Sequence, residues 1–258
     1  MSLSGWFGGL FAPHPQITDA AWAATLQRSR LFNALRADER ARLRELCERF
    51  LSKKNFHAAA GHELTPEQRL SIAALACLPV LHLGFDWLAG WREVVVYPGE
   101  FRVKREHHDE HTGVVTEGED ELIGEAWERG PLILSWADVA TDLKQPFDGF
   151  NVVVHEIAHK LDMLDGPADG VPRMPASIAR REWIDTMQPA YDRLVRDVER
   201  GRETWIDPYA AESAGEFFAV ASEGFFETPE LLAPAYPAVY EQLRLFYRQD
   251  PAARLAAA

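Results

Sequence analysis

"NVVVHEIAHKLDML", residues 151–164, sets two histidines and a glutamate inside a run of Val, Ile, Ala and Leu. It is either a buried helix carrying stray polar residues or a metal site, and the choice decides how the rest of the chain is read. On an α-helix, His155 and His159 lie on one face, one turn apart, so two ring nitrogens can reach a single tetrahedral ion. Glu156 is turned about 100° around the axis, close enough to meet a water held by that ion without being a ligand. Zinc moves such a water's pKa toward neutrality and polarises a carbonyl, while the glutamate takes the proton and later passes it to the leaving amine. That is the chemistry of His-Glu-x-x-His. Val152, Val153, Val154, Ile157, Ala158 and Leu161 mark the helix as core-facing, where polar groups without partners are costly. One metal ion would satisfy both imidazoles.

A catalytic zinc usually has three protein ligands and one open position. Candidates for the third lie in "WIDPYAAESAGEFFAVASEGFFETPEL", which holds Glu212, Glu216, Glu223 and Glu227. Glu216 projects from the start of an otherwise apolar helix, where an exposed-face explanation is weakest. Glu223, seven residues on, reads as support for a ligand. Asp162 falls on the turn after His159, either backing a ligand imidazole or as a surface carboxylate near the helix end. A structural zinc tends to close with a fourth cysteine or histidine, and neither motif has a cysteine nearby, which favours an open site.

Outward from the motif, residues 17–52 read as helical, with Leu35, Leu43, Leu46, Cys47 and Phe50 at helical spacings. Thr65, Pro66 and Gln68 form a capping-box start for a buried helix running into residues 70–91. That stretch is broken by Pro79, His82, Gly84 and Asp86, so it reads as core and not as a membrane span. "REVVVYPGEFRV" and "GPLILSWADV" read as strands, with a loop-like hairpin excursion between them that carries Val114, Val115, Leu122 and Ile123. His107, His108 and His111 in that excursion sit among Arg, Glu and Asp and read as a solvated turn, not a second metal site. Helices resume from residue 148, including a long one from about 176 to 200, and the tail "PAARLAAA" reads as frayed. Helices, strands, then helices suggest a mainly helical α+β fold with a small sheet. The expected organisation is an N-terminal helical region, 1–92, packed on a catalytic region, 93–258, as one compact unit.

The chain has 258 residues, enough for a sizeable core. Its formal charge of −13 argues against reading nucleic acid or binding an anionic membrane. Two cysteines, Cys47 and Cys77, each in apolar surroundings, indicate buried thiols and a reducing compartment. The first 22 residues lack a positive n-region followed by a long apolar run, so a cytoplasmic location is expected.

"VVVHEIAHKLDMLDG", "GPLILSW" and "DPYAAESAGEFFAVASEGFF" together resemble the Mlc titration factor A family of bacterial zinc metallopeptidases. The zinc-site part also resembles anthrax lethal factor, of the gluzincin type. The resemblance implies a zincin-like fold with a small mixed sheet. It implies that His155, His159 and Glu216 hold one zinc ion, that Glu156 is the general base, and that Tyr209 stabilises the oxyanion. A phenol suits that last role because it donates a hydrogen bond to the charge developing on the carbonyl oxygen. Leu132 to Ser135 would then be an edge strand that pairs with extended peptide, if it is not an internal strand of the sheet. The resemblance further implies aminopeptidase-like activity on small peptides and binding of a glucose-responsive repressor of the Mlc type. The rival reading is a non-catalytic, regulator-binding protein that retains its zinc.

Overall fold

The computed structural model describes residues 16–99, 101–108, 115–122, 124–126 and 130–256. Three helices lead: α1 (Asp19–Arg28), α2 (Arg30–Asn33) and α3 (Ala37–Lys53). A short strand, β1 (Asn55–Ala58), separates them from α4 (Pro66–Cys77). Thr65 caps α4 in a complete capping box, as its sequence predicts. The helix stops at Cys77, ahead of Pro79, and the rest of the 70–91 stretch is turns with a 3₁₀ segment, Phe85–Leu88. Both cysteines are fully buried and unbridged.

The predicted strands are present with altered boundaries. "REVVVYPGEFRV" splits into β2 (Glu93–Tyr97) and β3 (Phe101–His108), which belong to different sheets. β3 pairs antiparallel with β4 (Val115–Leu122) in a two-stranded ribbon. His107 and His108 are therefore in strand, opposite Thr116 and Val115, and not in a turn. Val114, Ile123 and His111 lie outside the described residues.

The main sheet has the order β1-β2-β6-β5, with β5 at Gly124–Ala126 and β6 at Leu132–Ser135. β1, β2 and β6 run parallel, and β5 is antiparallel to β6, so the sheet is mixed. This corrects the edge-strand expectation: Leu132–Ser135 pairs with β2 on one side and β5 on the other. Its four residues are buried in succession, the pattern of an internal strand covered on both faces. "WADV" is not strand either. The Ser135 hydroxyl accepts from the Asp138 N–H and opens α5 (Trp136–Lys144).

The second half is helical: α6 (Val152–Asp162), α7 (Arg180–Glu199), α8 (Ala214–Glu227), α9 (Pro229–Ala235), α10 (Pro237–Tyr247) and α11 (Pro251–Ala256). The tail expected to fray is thus helical through Ala256, and the Arg254 guanidinium ties it to buried Glu39 at 3.1 Å. A single apolar core joins Phe32, Phe50, Ile72, Val94, Leu132 and Val153 to Phe218 and Phe246. Trp183, Phe218 and Phe246 meet with ring centroids 5.4–5.7 Å apart and lock α7, α8 and α10 together. The architecture is α+β, mostly helical, with α6 packed between the sheet and α8.

Candidate metal centre

α6 starts where Asn151 caps it, the side-chain oxygen accepting from the Val154 N–H at 3.1 Å. Every α6 side chain except His155 is buried, including Glu156, which is 2% exposed. α8 starts where the Ser213 hydroxyl accepts from the Glu216 N–H at 3.1 Å, which puts Glu216 in the first turn. The two caps aim the chemistry of both helices at one point.

At that point His155 Nε2 and His159 Nε2 are 3.1 Å apart, and Glu216 Oε2 is 3.2 Å from the first and 3.3 Å from the second. A tetrahedral ion with bonds of about 2.0–2.1 Å holds its ligand atoms about 3.4 Å apart, so the triangle has the right size for one metal. Its chemistry fits too. His155 Nδ1 lies 2.8 Å from Glu223 Oε1 and donates to that carboxylate, leaving a lone pair on Nε2. A cation between them would satisfy the Nε2 lone pair of His155, a lone pair on His159 Nε2 and the Glu216 carboxylate at once. Burial alone would push the His155 imidazolium down. Glu216 and Glu223 outweigh it and hold the group well above the usual histidine range. Burial likewise pushes the Glu216 carboxyl up, but its bonds to His155 and His159 bring it to about 2. The site attracts positive charge, a proton when bare. Among the described residues no other group of His, Cys, Asp and Glu converges in this way.

Tyr209 stands on the 3₁₀ turn Pro208–Ala211, whose Asp207 side chain accepts from the Tyr209 N–H at 2.8 Å. Its ring centroid is 6.3 Å from that of His155, and the residue is 45% exposed, so a solvent-accessible phenol stands beside the triangle. Glu212 ends the same turn and is not part of the triangle. Asp162 is 1% exposed, which removes the surface reading. Its Oδ2 accepts from the Gly170 N–H at 2.8 Å, and burial raises its pKa to about 7.

Three residues near the triangle escaped the sequence reading. Glu227, considered only as a ligand, is fully buried, and its oxygens accept from Asn151 Nδ2 and the Phe147 N–H, each at 2.7 Å. Asp142 accepts from the Val152 N–H at 2.8 Å. Burial pushes the Glu227 carboxyl to about 7 and the Asp142 carboxyl to about 8. Asn151 links this acidic cluster to the helix start. The readable signal was an Asn directly before an apolar run, the mark of a helix cap.

Residues 11–248 match the model of a family described as glucose-regulated metallo-peptidase M90. The chain belongs to this family. Within the M90 family, it is 41% identical over 245 residues to Mlc titration factor A of Salmonella gallinarum (strain 287/91 / NCTC 13346), covering 93% of this chain and 90% of that one. Identity and coverage are the same for Mlc titration factor A of Salmonella typhimurium (strain LT2). The Salmonella arizonae protein of that name is also 41% identical, with 95% of its length covered. As an M90 protein the chain is a member of a metallopeptidase family, and the triangle is its candidate metal centre. No described helix is long and apolar enough to cross a membrane.

Proposed function

We propose that this chain is a zinc-dependent peptidase with a zincin-like catalytic region, 93–258, and a helical N-terminal region, 1–92, working in the cytoplasm. The observation that carries the reading is the triangle of His155 Nε2, His159 Nε2 and Glu216 Oε2, in a chain of a metallopeptidase family. Zinc bound there supplies a Lewis acid that polarises the scissile carbonyl and acidifies water. Glu156, next to His155 on the same helix, receives the proton from the attacking water and returns it to the leaving amine. Tyr209 donates its phenolic hydrogen to the oxygen of the tetrahedral species. Glu223 keeps His155 in the tautomer that presents Nε2. An aminopeptidase-like activity on small peptides is the expected substrate class.

A second role is supported by the relatives' name, Mlc titration factor A: binding a transcriptional repressor of the Mlc type. The two roles separate at Glu156. Glu156→Gln removes the base and no ligand, so the variant retains about one zinc per chain and loses peptide hydrolysis. Retained hydrolysis would sink the mechanism. Repressor capture by Glu156→Gln as strong as by wild type would show that binding does not need the chemistry. Metal analysis of wild type beside Glu216→Ala and Glu212→Ala tests the ligand set, with loss expected only for Glu216→Ala.

A further inference from the structure

A cavity of about 680 Å³ opens between the start of α3, the turn after α4 and the α10–α11 junction, and shares no residue with the metal centre. Four arginines line it, Arg36, Arg40, Arg248 and Arg254, together with His82. This is a local concentration of positive charge on a chain whose formal charge is −13.

The acidic residues at the cavity do not balance it. Glu39 is buried, and its Oε1 is shared by Arg254 at 3.1 Å, His82 at 3.2 Å and Arg36 at 3.7 Å. One carboxylate therefore serves three cationic or donor groups. Asp250 is committed elsewhere, accepting from the Tyr240 hydroxyl at 2.7 Å and the Ala253 N–H at 3.1 Å. Asp38, outside the lining, meets Arg36 at 3.3 Å in an exposed pair that water weakens. Even with all three acids counted, a guanidinium charge remains uncompensated, before any charge on His82.

Arg248 is the second sign of a ligand. It follows α10 in the left-handed conformation, φ 54° and ψ 37°, a position that glycine or asparagine fills at lower cost. Its guanidinium bonds to no described residue, and it lines the cavity beside buried Gln249. An arginine fork matches carboxylate and phosphate oxygens two at a time. The volume falls in the range of small-molecule sites, roughly 300–1,000 Å³.

The geometry points to a binding site for a small multivalent oxyanion, carrying phosphate or carboxylate groups, held between Arg36, Arg248 and the Arg254–Glu39–His82 cluster. Such a ligand bridges the N-terminal helices and the C-terminal helix, so it stabilises the folded chain by mass action. Nothing in this assignment depends on the peptidase reading.

The test is calorimetric titration with inorganic phosphate and, separately, citrate, at matched ionic strength, on wild type and on His155→Ala. The histidine variant removes chelation at the metal centre, so anion binding should be equal in the two proteins. Saturable binding of either probe is expected, weakened about tenfold or more in Arg36→Ala/Arg248→Ala, both of whose side chains are exposed and replaceable without opening the core. Phosphate alone or citrate alone would name the oxyanion class. No saturable heat with either probe, or equal affinity in the double variant, would overturn the site. Heat that disappears in His155→Ala would also overturn it, by placing the anion at the metal centre.

Discussion

Glu223 grips both a candidate ligand and the start of that ligand's helix: Oε1 accepts from His155 Nδ1 at 2.8 Å and Oε2 from the Asn151 N–H at 2.6 Å. One carboxylate thereby fixes the ring and its tautomer. Glutamine at this position has only one acceptor oxygen. If that oxygen keeps the backbone N–H, its amide donates toward Nδ1, and the His155 proton moves to Nε2, where a ligand lone pair is needed. Glu223→Gln should therefore weaken zinc binding by about 10- to 100-fold while the fold persists. Competition against a chromophoric chelator measures it, and an unchanged affinity would reduce Glu223 to a packing role.

Gly170 and Gly215 lie where the loop after α6 crosses the start of α8. A Cβ on Gly170 would stand 2.4 Å from the Ala214 carbonyl oxygen, and one on Gly215 would stand 2.6 Å from that of Ala168. Both neighbours are backbone and cannot swing away. Asp162 and Trp183 fix the same loop, through the Gly170 N–H and carbonyl, each at 2.8 Å. The loop thus spaces Asp162, three residues after His159, from Glu216. Gly170→Ala should cost on the order of 3 kcal/mol and lower metal occupancy. Gly61→Ala is the control, since Gly61 also has positive φ, +76°, but open space around it. It should cost only about 1 kcal/mol. Equal losses in urea unfolding would assign the effect to backbone conformation and not to the crossing.

Asp142 gives the apo protein a pH signature. Burial raises its carboxyl to about 8, with the charges of Glu223 and Glu227 adding to the rise against the Val152 N–H. An unfolded aspartate titrates near 3.9, so between these values the folded chain holds a proton that the unfolded chain lacks. That contribution to stability is full below about pH 4 and is lost as pH rises through about 8. The substitution Asp142→Asn keeps an oxygen for the Val152 N–H and removes the titration. Unfolding free energies of the metal-free proteins, compared from pH 5 to 8, should show wild type losing ground to Asp142→Asn. The slope from one group is at most about 1.4 kcal/mol per pH unit. A difference that stays flat with pH would mean that Asp142 is already ionised in the fold.

The histidine pair was legible because its geometry is local: four residues on a helix fix the separation of two rings. Glu216 was legible because a lone acid opens an apolar helix. Glu223 was legible as support for a ligand but not as the partner of His155 in particular. The work of Glu227 and Asp142 was not legible, since the partners of all three at the start of α6 lie 10 to 80 residues away and packing alone selects which acids are buried. β6 was located but its neighbours were not. β5 is three residues long, Gly-Glu-Ala, without a β-branched or aromatic side chain to announce a strand. α5 does carry a signal, Ser135 with Asp138 three residues on, but "WADV" continues the apolar run of β6 and so hides the boundary between strand and helix.

Tyr209 provides the sharpest division between a catalytic and a merely structural reading of the metal centre. Its ring is close to His155 without joining the ligand triangle, and its 3₁₀ turn is set by the Asp207 cap and by packing against α8. Tyr209→Phe keeps the ring and removes the donor. Zinc content and thermal stability should match wild type. Turnover of a small peptide should fall by about 10²-fold or more, the loss that follows removal of one oxyanion donor, with KM little changed. A fall in zinc content would instead place the hydroxyl in the support of the metal site. Unchanged turnover would leave the oxyanion without help from this side chain, and the proton held by Glu156 would have to carry more of the chemistry.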